Sequence, residues 1–139
     1  DNVLQFANYV FDAAVWEMTL SLLLGAKLTL IPKETAMDAG SFNAFVKQSG
    51  ITLTLLPPQF YLQTELTGLK ALTTGGSASN AEIIEKAGRG CRYVNAYGPT
   101  ENTVLATNWE YDGKSDIPYT VPIGKPIANT QVYILNGMN

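Results

Sequence analysis

The chain has 139 residues, a formal net charge of −3, one cysteine and no histidine. That length suits one domain with a real core but is short for an enzyme that must close over two substrates, and the acidic balance leaves no stripe of Lys and Arg to displace counterions from a nucleic acid. The lone Cys91 excludes an intrachain disulfide, which fits a reducing, cytoplasmic setting, and the lack of histidine removes the commonest metal ligand and general base.

A β-prone run at residues 3–6 precedes a helix predicted over 13–24, with Asp12 placed as its cap and Gly25 just past its end. Apolar residues occupy almost every face of this helix, which predicts burial. A strand over 27–31 stops at Pro32, a short helix over 41–48 ends at Gly50, and a strand over 51–56 stops at Pro57 and Pro58. Glu17, Lys27 and Lys33 break the apolar runs before they reach membrane-spanning length, and the first residues given hold no basic segment ahead of an apolar one, so no targeting signal is expected in them. The alternation continues with helical turns at 59–63, a strand at 69–73, the turn Gly75-Gly76-Ser77, a helix over 80–87 and a strand over 92–95. Repeated strand–helix crossovers imply an α/β fold, a mostly parallel sheet flanked by helices on both faces, with ligand residues at the C-terminal ends of its strands. Beyond Glu101 the texture changes to a strand over 103–109, a polar loop over 111–119 and a final strand over 131–135, after which residues 136–139 end without a helix or cap. The chain thus divides into an α/β unit over 1–110 and a loop and strand leading out of it over 111–139.

Chemistry concentrates in Asn95-Ala96-Tyr97-Gly98-Pro99-Thr100-Glu101, directly after a strand. Tyr97 offers a ring to a purine face and Asn95 a paired donor and acceptor to a purine edge; Thr100 offers a hydroxyl to an α-phosphate, and Glu101 a hard oxygen to Mg²⁺ held jointly with phosphates. Taken singly, Tyr97 and Asn95 read more readily as structural residues, and a Thr-Glu pair is often only a solvated turn; their density within one short run favours a site. Gly75-Gly76-Ser77 lets a ligand lie against main-chain groups, although an ordinary βα turn has the same composition. Asp12 reads equally as a helix cap and as the partner of a substrate ammonium, and Trp16, on the same helix face, as a pocket wall or as core. Gln59, after the double proline, points either to solvent or to a substrate.

These segments resemble the amino-acid-activating adenylation domains of nonribosomal peptide synthetases, within the adenylate-forming enzymes. Phe11-Asp12-Ala13-Ala14-Val15-Trp16-Glu17 is similar to the family's substrate-binding motif, residues 95–101 match its Asn-Ala-Tyr-Gly-Pro-Thr-Glu motif in full, and Val121-Pro122-Ile123-Gly124-Lys125-Pro126-Ile127 resembles the segment that follows. The resemblance runs essentially end to end and implies a flavodoxin-like subdomain of a larger ATP-dependent ligase.

Carried over by motif, the resemblance gives Asp12 the substrate α-ammonium, helped by the Gly98 carbonyl, and builds a side-chain pocket from Ala13, Trp16, Gln59, Thr73, Gly75, Ala96, Val104 and Leu105. It places Gly75, Gly76, Ser77, Ala96 and Tyr97 around the adenine, Asn95 on its amino edge, Thr100 near the phosphates and Glu101 on Mg²⁺, with Thr100 and Glu101 as the catalytic pair. Ala14 stands where the family usually has serine, and the stretch between Gln59 and Leu69 is shorter than usual. The implied reaction joins an amino acid to ATP as aminoacyl-AMP and passes it to the phosphopantetheine thiol of a peptidyl carrier protein. The family's phosphate loop, ribose-binding aspartate and C-terminal lysine domain fall outside these residues, so the segment alone is expected to be inactive. The small and apolar pocket residues imply an uncharged, medium-to-large amino acid, phenylalanine or tyrosine ahead of leucine, with neither nucleic acid nor membrane as partner. Two other readings stand beside this one: a non-catalytic nucleotide- or amino-acid-binding module, and an acyl- or aryl-activating relative, which Asp12 opposes because such substrates carry no ammonium.

Overall fold

The computed structural model describes residues 1–88 and 90–136. Strands β1 (Asn2–Gln5), β2 (Lys27–Leu30), β3 (Leu53–Leu56), β4 (Ala71–Thr74), β5 (Arg92–Tyr97), β6 (Thr107–Glu110) and β7 (Lys125–Pro126) form one sheet in the order β2-β1-β3-β4-β5-β6-β7. The first five are parallel, and β6 and β7 add antiparallel to the β5 edge. The 2-1-3-4-5 order is the flavodoxin-like one, in which the chain reverses its direction of travel across the sheet between β1 and β3.

Helices α1 (Asp12–Leu23), α2 (Lys33–Ala36), α3 (Ala39–Ser49), α4 (Pro58–Leu62) and α5 (Ala81–Ala87) make the crossovers. Because such crossovers are right-handed, the reversal puts α1 on one face and α3, α4 and α5 on the other. The burial pattern agrees. Leu4, Leu56, Leu72 and Tyr93 point to the second face and form the main core with Phe42 and Val46 of α3, Tyr61 of α4, and Ile83 and Ile84 of α5. Phe6, Phe42 and Phe60 close one end of this core as an aromatic cluster, with ring centroids 4.8 to 5.7 Å apart. On the first face α1 packs against β1, β2 and β3, burying Ala14, Glu17 and Ser21. That helix stops short of β4 and β5, where the same face is left open.

Several local expectations are corrected. Phe11, not Asp12, is the N-cap of α1 and makes no side-chain capping bond; Asp12 is the first helical residue, where its carboxylate still complements the helix dipole. The apolar surround of α1 is not all buried: Leu22, Leu23 and Leu24 are 70, 80 and 74% exposed, because one helix against one sheet can cover only the sheet-facing stripe. A short helix, α2, precedes α3, whose cap is Asp38 accepting the Ser41 amide at 2.7 Å and whose C-terminal Gly50 is left-handed, as its place after the helix predicts. The strand expected over 103–109 begins only at Thr107, since residues 100–102 form a 3₁₀ turn and Thr103 and Val104 take φ of 52° and 70°. The strand expected over 131–135 does not form. Those residues have no regular structure and no ladder partner among the described residues, and the last strand is instead β7, at 125–126.

The segment before β7 is bound into the fold. Val121 joins the main core, and Thr107 donates its hydroxyl to the Ile123 carbonyl at 2.7 Å. Gly124 has a φ of 84°, and a Cβ there would lie 1.7 Å from the Asn108 carbonyl oxygen, so only glycine lets this segment lie down on β6.

One core position is imperfectly matched. The Thr54 hydroxyl of β3 is fully buried with no hydrogen-bond partner among the described residues. Thr54→Val keeps the shape and removes the orphaned hydroxyl, so it is expected to raise the unfolding free energy by about 1 kcal/mol. Urea unfolding of both forms checks this, with an increased midpoint at unchanged slope as the expected result.

Candidate functional site

A cavity of about 480 Å³ opens where the reversal of strand order leaves the first sheet face uncovered beside α1. Its volume suits a small organic ligand, and its position at the carboxyl ends of the strands is where open α/β sheets bind ligands. One wall is the start of α1, with Asp12, Ala13 and Trp16; Leu55 and Pro57 line it at the end of β3. Gly75, Gly76 and Ser77 follow β4, Ala96 and Gly98 come from the end of β5, and Val104 and Leu105 complete the lining. Among the described residues that line it, Asp12 alone carries a charge.

The fold brings these residues together for local reasons. Gly75 lies so near β5 that a Cβ would be 3.2 Å from the Ala96 carbonyl oxygen. Gly98 is tighter still. A Cβ there would fall 2.5 Å from the Val104 carbonyl and 2.8 Å from the Ala106 nitrogen, and beside it the Ala106 amide donates to the Tyr97 carbonyl at 2.8 Å. The left-handed Thr103 and Val104 turn the chain back onto Gly98. Such φ values are uncommon for β-branched residues and recur where a site holds its backbone in one shape.

Other predicted residues lie outside the cavity lining. Gln59 is exposed on α4. Thr73 shares the face of Leu55 and Val94 by strand register but is 9% exposed. Tyr97, the last residue of β5, presents a half-exposed ring, and Thr100 and Glu101 are exposed on the 3₁₀ turn that follows. The Asn95 side chain is 4% exposed and engaged at both ends: its amide nitrogen donates to the Pro122 carbonyl at 2.8 Å, and its oxygen accepts from the Ser79 hydroxyl at 3.1 Å. Ser79 meets Thr74 at 2.8 Å, and Thr74 meets the Tyr93 hydroxyl at 2.7 Å. This buried relay ties the turn after β4 to β5 and to the segment before β7.

The sequence reading missed Phe6, Ala7, Asn8 and Phe11, with Leu55 and Pro57, all of which line the cavity. Their signal was positional. The loop leaving β1 and the end of β3 flank the topological switch point, and only the strand order discloses where that is.

Glu17 lies behind this loop. It is completely buried on α1, and its carboxylate accepts the Phe6 amide at 3.1 Å and the Ala7 amide at 3.2 and 3.1 Å. Desolvation by burial pushes its pKa up to about 7, and the hydrogen bonds from the Ala7 and Phe6 amides pull the other way.

No cluster of three or more His, Cys, Asp or Glu among the described residues could hold a metal ion by itself. Glu101 is an exposed carboxylate with no hydrogen bond or ion pair to another described residue. A single hard oxygen of this kind fits Mg²⁺, which is commonly held by one or two carboxylates together with substrate phosphates and water. No helix among the described residues is long and apolar enough to cross a membrane.

A family model described as AMP-binding enzyme matches residues 1–139. The chain belongs to the AMP-binding enzyme family. Among curated members it is 42% identical over 139 residues to tyrocidine synthase 1 of Brevibacillus parabrevis and 41% identical over 139 residues to gramicidin S synthase 1 of Brevibacillus brevis, in each case over 98% of this chain. It spans only 13% of the length of either relative. Of solved structures, the Vibrio cholerae adenylation domain AlmE in complex with glycyl-adenosine-5'-phosphate superposes with a TM-score of 0.80 at 26% identity, over 91% of this chain and 25% of that one. A nonribosomal peptide synthetase protein containing adenylation and PCP domains, bound to a vinylsulfonamide inhibitor, superposes with a TM-score of 0.82 at 28% identity, over 99% of this chain and 25% of that one. The chain is therefore homologous to part of the adenylation domains of nonribosomal peptide synthetases, and its mixed, mostly parallel sheet flanked by helices is the fold of this AMP-binding family.

Glu17 makes stability depend on pH in a definite direction. The folded chain holds the Glu17 proton up to about pH 7, whereas the unfolded chain releases it near 4.5, so the folded state binds more protons between those values. The stabilisation from the protonated group is fully present below that window and is lost as pH rises through it. Glu17→Gln cannot ionise. The stability of the natural protein relative to this variant is expected to fall by about 3 kcal/mol from pH 4.5 to pH 8, measured by denaturant unfolding at both pH values.

Proposed function

We propose that this chain forms the amino-acid and nucleotide pocket of an enzyme that activates an amino acid as aminoacyl-AMP and loads it on the phosphopantetheine thiol of a peptidyl carrier protein. The observation that carries this reading is a cavity whose one charged lining residue, Asp12, sits at the mouth of α1 among Ala13, Trp16, Phe11 and Leu55. A carboxylate in apolar surroundings calls for a cationic partner, and an amino acid's α-ammonium is one of the right size. The adenylation domain solved with glycyl-adenosine-5'-phosphate supports the class of product.

In this reading Asp12 and the Gly98 carbonyl hold the ammonium, and the amino acid's side chain enters between Ala13, Trp16, Ala96, Val104 and Leu105. Gly75, Gly76 and Ser77 lie along the adenine, with the Tyr97 ring on its face. Asn95 holds its own segment against Pro122 and Ser79, and the second lone pair of its side-chain oxygen accepts from the adenine amino group. Thr100 approaches the phosphates and Glu101 holds Mg²⁺, which supplies charge neutralisation on the phosphate oxygens. The substrate carboxylate is already ionised and attacks the α-phosphate directly; pyrophosphate leaves. The residues of this chain therefore act by positioning, and none has to take or give a proton. Thr73 and Gln59 stand outside the cavity lining, so the pocket offers few polar contacts to a substrate side chain. A charged side chain buried there would lack a partner, which favours an uncharged, medium-to-large amino acid, phenylalanine or tyrosine ahead of leucine.

Amino-acid-dependent ATP–pyrophosphate exchange by the full-length protein tests this reading. One neutral amino acid is expected to lead a complete panel; preference for aspartate, glutamate, lysine or arginine would refute the pocket assignment. Exchange stimulated only by carboxylic acids without an amino group would point to an acyl- or aryl-activating enzyme, and ATP or amino-acid binding without exchange to a non-catalytic module. Asp12→Ala is expected to cost about 2 to 5 kcal/mol in kcat/KM for the amino acid. Residues 1–139 by themselves are expected to give no exchange.

A further inference from the structure

The mechanism above leaves one buried acid without a task. Glu17 is on the same helix as Asp12, Ala13 and Trp16 but faces inward, with no exposed surface and no cationic partner among its hydrogen bonds. Burying an acid with no cationic partner costs free energy, and every side-chain hydrogen bond that Glu17 accepts goes to one short segment. What it holds is two consecutive backbone amides, those of Phe6 and Ala7, at the point where the chain leaves β1 and turns along the cavity.

We infer that Glu17 is a positioning residue for the amino-acid side of the pocket, clamping the Phe6–Ala7 wall to the helix that carries Asp12. Three hydrogen-bond contacts to adjacent amides define both the distance and the tilt of the loop relative to α1. From its other side the loop is braced by the Phe6 ring, packed 5.7 Å from Phe42 and 4.8 Å from Phe60. Rings fill space without fixing rotation about the strand axis, whereas directional hydrogen bonds from two amides to a single carboxylate fix it. The end of β3 separates this wall from the Gly75–Ser77 turn, so the clamp acts on the Asp12 end of the cavity and leaves the nucleotide end alone.

The inference rests on the proposed amino-acid activation, and the test separates the two. Glu17→Ala and Glu17→Gln are made in the full-length protein, and KM for the amino acid and for ATP are measured separately by pyrophosphate exchange. Loss of the hydrogen bonds from the Phe6 and Ala7 amides in Glu17→Ala is expected to raise the amino-acid KM about tenfold, with the ATP KM unchanged within about twofold. Glu17→Gln keeps an oxygen for the Phe6 and Ala7 amides but sets its NH₂ group against a donor, so it is expected to fall between the natural protein and Glu17→Ala. A folded Glu17→Ala protein with an unchanged amino-acid KM overturns the inference. So does a fall in kcat with both KM values unchanged, which is what partial unfolding produces. If Glu17→Ala does not fold, Glu17→Gln decides, and an unchanged amino-acid KM in it is the overturning result. A natural protein that exchanges with no amino acid defeats the proposed function instead.

Discussion

The backbone of Gly98 lies so close to residues 104–106 that a single methyl group would fall 2.5 Å from the Val104 carbonyl oxygen, and the β5 rim of the cavity is built on that contact. The main-chain bond from Ala106 to Tyr97 turns the chain back on itself beyond β5, and Val104 and Leu105 are thereby laid against the open sheet face. The same return starts β6, whose Thr107 and Trp109 pair with Tyr97 and Asn95. With β6 in place there is an edge for β7, and Gly124 lets the segment that leads into β7 lie flat on β6, with Val121 of the same segment in the core. One missing side chain thus connects the rim of the pocket to the antiparallel half of the sheet.

Two kinds of order hold the pocket, and they act on its two ends. At the α1 end the ordering element is a carboxylate gripping amides, with apolar rings behind it. Beyond β4 it is a relay of uncharged polar groups, Tyr93 to Thr74 to Ser79 to Asn95 to Pro122, in which each buried group is satisfied by the next. Charge is sparing throughout. Asp12 is at the surface of the cavity, Glu17 behind it, and the well-formed Arg92–Glu110 pair lies exposed at the far, N-terminal end of β5.

Much of this was legible in the sequence because the relevant signals are local. Gly50 and Pro32 end their elements where they stand, and the density of Asn95 to Glu101 marks the end of a strand regardless of what surrounds it. The errors arise where tertiary context decides. Residues 131–135 have a strand's composition, but a strand exists only with a neighbour to bond to. The leucines closing α1 are apolar, but what covers a helix face is not encoded in the helix. Asn95 carried the right chemistry for a purine edge, and the demand made on its amide by Pro122 and Ser79, 27 and 16 residues away, had no local trace. Phe6, Ala7 and Leu55 look like ordinary strand residues until the order of strands shows which loops meet.

Val104 combines two properties that are usually separate: it lines the cavity, and its backbone sits in the left-handed region at φ 70° beside Thr103 at 52°. A change of residue there can alter the room available to a ligand and the intrinsic preference of the loop in one step. Glycine would enlarge the space and relieve the backbone; isoleucine would shrink the space and leave the strain. The two properties therefore move together only at glycine, where a roomier pocket comes with a loop content in several conformations; among residues that keep a Cβ the room changes and the backbone strain stays.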